Sequence, residues 1–221
     1  MDRLETQLLQ ITLCDDPYAW QSLGFNVVEL ADGKLVSDIG GVQIRFEDSI
    51  TNQGIICVKT QGVRGSIDSL EFGGEMVKVP SSSDLLPPFS NPNGVSRIDH
   101  LVVTTPDCDR TSAALQKNGI DPRRVRTFGD SGAEIRQTFF WLGNVILELV
   151  GPDKSESGDP ALFWGLALIS ENIDATVHYL GDACTPLKRA VQPGRKITTI
   201  KTRDIGINTS IAVMSPHAES T

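Results

Sequence analysis

Histidine is scarce in this chain, with three among 221 residues, and cysteine is never clustered. Cys14, Cys57, Cys108 and Cys184 lie far apart with no C-x-x-C pair, which excludes a zinc knuckle or thioredoxin-like motif and leaves free buried thiols. A catalytic cysteine would need a histidine nearby to hold its thiolate, and so few histidines give little scope for one. Positive charge is also in deficit: 20 Lys and Arg stand against 28 Asp and Glu, a formal net charge of -8. Nucleic acids and anionic membranes are bound by clustered Lys and Arg, so neither is expected as a partner. No window approaches the ~18 to 20 apolar residues of a membrane span. The start, MDRLETQLLQITLCDDP, is acidic where a secretory signal would be basic, and the expected location is cytoplasmic. The G-x-S-x-G, Walker and G-x-G-x-x-G patterns are missing too, which argues against serine hydrolases, NTPases and Rossmann dehydrogenases.

What is present is a repeated grammar. SRIDHLVVTTPD reads as a strand stopping at Thr105 and Pro106. Asp107 then suits the N-cap of CDRTSAALQKNG, which closes at Gly119. RRVRTF, AEIRQTFFWL and NVILELVGP follow as strand-like runs separated by GDSG and GN. The order β-α-β-β-β returns in PALFWGLALIS, ENIDATVHYLG, KRAV, RKITTIKTR and TSIAVMSP. A looser copy precedes both: LLQITLCDDP, a short helix DPYAWQSLG, then FNVVEL, GGVQIRFED and GIICVKTQG. The expected organisation is a degenerate N-terminal unit over 1–80, a linker over 81–95, a second unit over 96–152 and a third over 160–216 paired with the second. Such a unit covers one sheet face with its helix and leaves the other open, so paired units form a cup with a concave ligand face.

The repeated pattern, the DHLVV-x-TPD strand and helix start, the FFWLG-x-VILELVGP hairpin and the AVQPGRKI turn resemble the vicinal oxygen chelate superfamily. That superfamily includes glyoxalase I, extradiol dioxygenases and the bleomycin and fosfomycin resistance proteins; the nearest likeness is to glyoxalase-like bacterial proteins. The resemblance runs from Val95 to Pro216 and thins over the first 75 or so residues. It implies an α+β fold of β-α-β-β-β modules forming a curved mixed sheet, with helices on its outer face. It also implies metal ligands on the first and last strands of each module, commonly His and Glu, and frequent homodimers.

His100 and Glu148 occupy those positions in the second unit. Alternation puts Ile146, Glu148 and Val150 on one face of an apolar strand, where a carboxylate must be paired, hydrogen-bonded, protonated or metal-bound. A lone strand histidine is ordinarily a satisfied core residue; with Glu148 at the matching end of the same unit, it reads as a pocket residue. The third unit, however, sets Gly165 against His100 and Ala212 against Glu148, and the first offers Gln10 and approximately Val58. One divalent metal (Zn, Ni, Mn or Fe) at His100 and Glu148 would need a third ligand, for which Gln10 and His217 are candidates. Arg195 and Gln192 flank a Pro-Gly turn, from which the guanidinium could clamp an anion. Arg123, Arg124 and Arg126 read as a solvated edge strand. Phe139, Trp141 and Trp164 are candidate pocket walls, with strand register left open.

Two functions follow as expectations. The first is a metal-dependent, glyoxalase-like lyase, isomerase or dioxygenase acting on a small molecule, with Glu148 and His100 catalytic. The alternative is a metal-free protein that binds or sequesters a small molecule.

Overall fold

The computed structural model describes residues 6–48, 53–73, 90–155 and 157–217. The expected linker therefore lies outside the described residues as far as 89. The first part of the chain runs β1 (Gln7–Leu13), α1 (Pro17–Ser22), β2 (Val28–Glu29), β3 (Leu35–Ile39), β4 (Val42–Phe46), β5 (Ile55–Gln61), β6 (Gly65–Ile67) and β7 (Leu70–Gly73). The second part runs β8 (Val95–Thr104), α2 (Cys108–Lys117), β9 (Pro122–Phe128), β10 (Ile135–Leu142), β11 (Val145–Pro152), β12 (Leu162–Ser170), α3 (Ile173–Leu180), β13 (Lys188–Arg189), β14 (Lys196–Thr199) and β15 (Ser210–Met214). Local chemistry starts the helices where the sequence indicates. Asp107 accepts the Arg110 N–H at 2.9 Å, Asn172 accepts that of Ala175 at 3.1 Å, and Asp16 caps α1 ahead of Pro17. None of the described helices is long and apolar enough to cross a membrane.

The strands form two mixed sheets, ordered β2-β3-β4-β1-β5-β7-β6 and β13-β14-β15-β12-β8-β11-β10-β9. Both follow one plan. At the centre of each, two opening strands run antiparallel, β1 against β5 and β8 against β12. Each opening strand has a parallel neighbour on its other side: β4 beside β1, β7 beside β5, β11 beside β8 and β15 beside β12. From sequence, GIICVKTQG is expected to close the first unit. Its pairing is instead antiparallel to β1, the relation of an opening strand, and β4 does the closing. Among the described residues, β6 and β7 follow β5 in its sheet with no helix in between, so the usual strand-to-helix change of period has nothing to mark it.

One hydrophobic cluster serves both sheets. Leu101, Val103, Leu147, Leu149 and Phe140 are wholly buried in it with Ile11, Leu13 and Ile44. In the eight-stranded sheet alternation sends His100, Val102, Ile146 and Glu148 to the opposite, concave face. Polar ties hold the two sheets together. Asp15 Oδ1 accepts the backbone N–H of Asn208 at 2.8 Å and of Thr209 at 3.3 Å, while Oδ2 accepts Trp20 Nε1–H at 3.3 Å. Asp68 binds Arg110 Nε at 2.8 Å, and the Asn93 amide donates to the Leu23 carbonyl at 3.0 Å.

Asp15→Ala leaves two buried donors and one part-buried donor without their acceptor, and we expect it to destabilise the fold by about 3 kcal/mol. A urea midpoint unchanged from the parent would remove Asp15 as the tie between the sheets.

Candidate functional site

The site is built around an irregularity in β8. Along the seam with β12, Ala167 pairs with His100 and Leu168 with Ile98, so Asp99 is an extra residue, a β-bulge. In an unbroken strand Asp99 and His100 would point to opposite faces; the bulge lets their side chains meet. Asp99 Oδ2 lies 2.9 Å from His100 Nδ1, off the N–H axis, as an ion-pair contact rather than an aligned hydrogen bond. His100 is 4% exposed, and with Asp99 at Nδ1 its Nε2 is the nitrogen left for a ligand.

On one side of His100, a row of polar groups crosses the sheet. Gln137 Nε2 donates to Glu148 Oε1, and Gln137 Oε1 accepts from Arg126 Nε. Phe139, the cross-strand partner of Glu148, sets its ring 6.3 Å from that of His100. The Arg126 guanidinium lies 5.6 Å from the centroid of Phe139 and 5.7 Å from that of Phe128. On the other side stands Arg195, whose side chain is 0% exposed. It donates Nε–H to the Ser215 carbonyl at 2.8 Å and Nη1–H to Asp99 at 3.0 Å, and Nη1 lies 3.2 Å from His217 Nε2. Its Nη2 is buried with no described partner.

These surroundings push two carboxyls apart. Burial raises Glu148 above the ordinary glutamate range, and the opposing charges of His100 and Arg126 and the Gln137 hydrogen bond do not cancel it. Burial would raise Asp99 as well, but His100 and Arg195 outweigh it and hold that carboxyl at about 2.

His100, Glu148 and Phe139 thus come together on one face, with Trp141 two residues along β10 and 48% exposed. Trp164 is 52% exposed at a second bulge, where Phe163 pairs with Val103 and Gly165 with Val102. Arg195 is not at the rim, as the turn had suggested. Sealing a guanidinium from water is tolerated because Asp99 and the Ser215 carbonyl offset the lost hydration. Gln192 stays in the turn, its carbonyl accepting the Arg195 N–H at 3.2 Å. Gln10 is on the other sheet and donates to Thr12 Oγ1 at 3.0 Å. Sequence reasoning missed Asp99, whose role depends on a bulge, and Arg126, which had read as solvated edge. The signal for Arg126 was its alternation with Phe128, which becomes informative once β9 is registered on β10.

No family model and no curated protein matches the chain. Solved structures do. A variant of 4-hydroxymandelate synthase from Streptomyces coelicolor superimposes with a TM-score of 0.63 at 13% identity, over 97% of this chain and 94% of the other. A fusion of a xylose isomerase-like TIM barrel with 4-hydroxyphenylpyruvate dioxygenase gives 0.63 at 11% identity, over 97% of this chain and 50% of the other. The chain shares the fold of these two structures. At these identities the likeness carries architecture, and the chemistry has to come from the residues.

The divalent metal that the sequence resemblance implies can be tested on the donor set. His100 and Glu148 share a face, but a catalytic metal usually takes three protein donors. Register identifies the related positions in the partner unit: Val102 pairs with Glu148 as Ala167 pairs with Ala212, and His100 with Ile146 as Gly165 with Ser210. Gly165 is more than a lost histidine. A Cβ there would lie 2.3 Å from the Ser210 carbonyl oxygen, so the backbones close the position to any side chain. His217 is at Arg195, Gln10 is on the other sheet, and no three His, Cys, Asp or Glu side chains cluster among the described residues. The residues present do not fit a catalytic metal of the expected kind.

The two carboxyls should affect stability in opposite senses. A lowered pKa contributes stability above the unfolded value that is lost as pH falls through the folded one. Asp99→Asn should therefore destabilise the protein by about 2 kcal/mol at pH 7, the gap from wild type narrowing as pH falls toward 2. A pH-independent gap in thermal denaturation would refute the ion-pair account. A raised carboxyl contributes stability that is fully present below the unfolded pKa and lost as pH rises through the folded one. Glu148→Gln should accordingly gain on wild type as pH rises; equal stability curves from pH 4 to 8 would contradict it.

Proposed function

We propose that the protein binds a small organic molecule on the concave face of the eight-stranded sheet and exchanges a proton with it at Glu148. The observation that carries this reading is the carboxyl itself, set in an apolar strand, held by Gln137 and placed on one face with His100. Glutamate so placed is unfavourable for stability, and such groups concentrate where chemistry uses them. Gln137 fixes the carboxylate's direction, leaving its second oxygen to take or give a proton. His100, held at Nδ1 by Asp99, has Nε2 for an oxygen of the same ligand. Phe139 and Trp141 supply flat apolar contact beside these groups. This reading retains the expected small-molecule partner and proton-shuttling glutamate, and routes no step through a metal.

A second reading, sequestration without turnover, is supported by the partner unit, where Gly165 and Ala212 replace polar groups on the same face. One experiment separates the two. Small hydroxy- and oxo-compounds are titrated in H2O while the Gln137 side-chain amide and Trp141 indole signals are followed by NMR, and the same compounds are incubated with the protein in D2O in parallel. For a compound that shifts both signals, we expect its activated C–H to exchange for deuterium with wild type. Glu148→Gln should slow that exchange at least ~100-fold, the scale of a lost general base. Binding without exchange would establish sequestration, and undiminished exchange in the variant would sink Glu148 as the proton carrier.

A further inference from the structure

The polar row ends at the sheet edge on Arg126, and its geometry there is that of a prepared receptor. Cation–π contacts with Phe128 and Phe139 and the bond from Nε to Gln137 hold the guanidinium in place. No described residue bonds its Nη groups. Arg124 pairs with Phe139 as Arg126 pairs with Gln137, so both arginines stand on the concave side of β9. In a chain with eight more acidic than basic residues, two arginines flanking an aromatic make a local positive field at that end of the face. Arg195, by contrast, is sealed and already matched by Asp99. The apolar counterpart is adjacent, because Phe139 and Trp141 lie one strand away, about 4.8 Å across the ladder.

We infer that Arg126 is the anion-recognising group of the site and that its ligand is a small organic acid with a flat apolar body. The carboxylate sits in the guanidinium fork, and the body rests on Phe139 and Trp141. Two parallel N–H···O bonds from a guanidinium anchored through Nε select a planar carboxylate over a neutral amide of the same shape. The inference rests on the concave face being the ligand site.

The test uses three probes on one benzene ring, the isosteric pair benzoate and benzamide and the cation benzylammonium, titrated at pH 7 while the Trp141 indole and Arg126 Nε–H signals are followed. We expect benzoate to bind about tenfold more tightly than benzamide and benzylammonium most weakly. Arg126→Met should abolish the preference for the anion. Lys117→Met, the same charge change at the far end of α2, should retain it. Equal binding of benzoate and benzamide, a preference that survives Arg126→Met, or one lost equally in Lys117→Met would overturn the inference. So would the absence of a saturable shift with all three probes. The deuterium exchange at Glu148 reads the parent proposal separately, since it does not depend on the charge of the ligand.

Discussion

The antiparallel seam between β8 and β12 is the constraint on which the site depends. It joins two β-α-β-β-β units into one eight-stranded sheet, and its register decides which side chains face the core and which face the cup. Leu101 against Leu166 locks the core side, with both residues at or near zero exposure. A one-residue slip would bring Leu101 out to the cup and His100 into the core, and the loss of buried apolar area forbids it. Within that fixed register the seam holds one local freedom, the extra residue at Asp99. The bulge places two neighbouring polar side chains in contact without shifting the rest of the strand.

From the bulge outward, electrostatics divides the face. Asp99 has Arg195 and His100 beside it and is held strongly acidic; Glu148 has a neutral amide as its hydrogen-bond partner, with charge only at longer range, and is raised. Two carboxyls on neighbouring strands therefore take different tasks. The lowered one anchors, because its charge is matched at short range and its removal would leave a buried guanidinium uncompensated. The raised one is available for proton exchange, because its ionised form is the one its surroundings disfavour.

Much of this was legible in the sequence. The unit order, the Asp107 cap and the placement of His100 and Glu148 on one face follow from alternation and helix punctuation, which act over a few residues. The parts that were not legible depend on pairing between distant segments. Arg195 reads as a turn arginine until β14 and the segment at Ser215 enclose it against Asp99. Arg126 reads as an edge residue until Gln137 and Phe139 are registered beside it. The bulge at Asp99 leaves no compositional mark, and β5 went unrecognised as an opening strand because, among the described residues, no helix separates it from β6 and β7.

The two sheets also explain why the polar row is confined to one part of the molecule. In the seven-stranded sheet, Gln10 pairs with Gln43 and Thr12 with Arg45, as His100 pairs with Ile146 and Val102 with Glu148. Gln10 therefore stands where His100 stands, and an arginine stands where Glu148 does. In the eight-stranded sheet the partner unit has Gly165 and Ala212 at those places, with Ala167, Ile169 and Met214 forming a separate apolar cluster. A symmetric cup with polar groups at every related position would bury several unfavourable charges on one face. Here only one unit carries that load, and the partner unit closes tightly enough at Gly165 that Ser210 takes the space a side chain would need. The close approach of β12 and β15 leaves no room for a side chain at Gly165, so His100 has no polar counterpart across the seam.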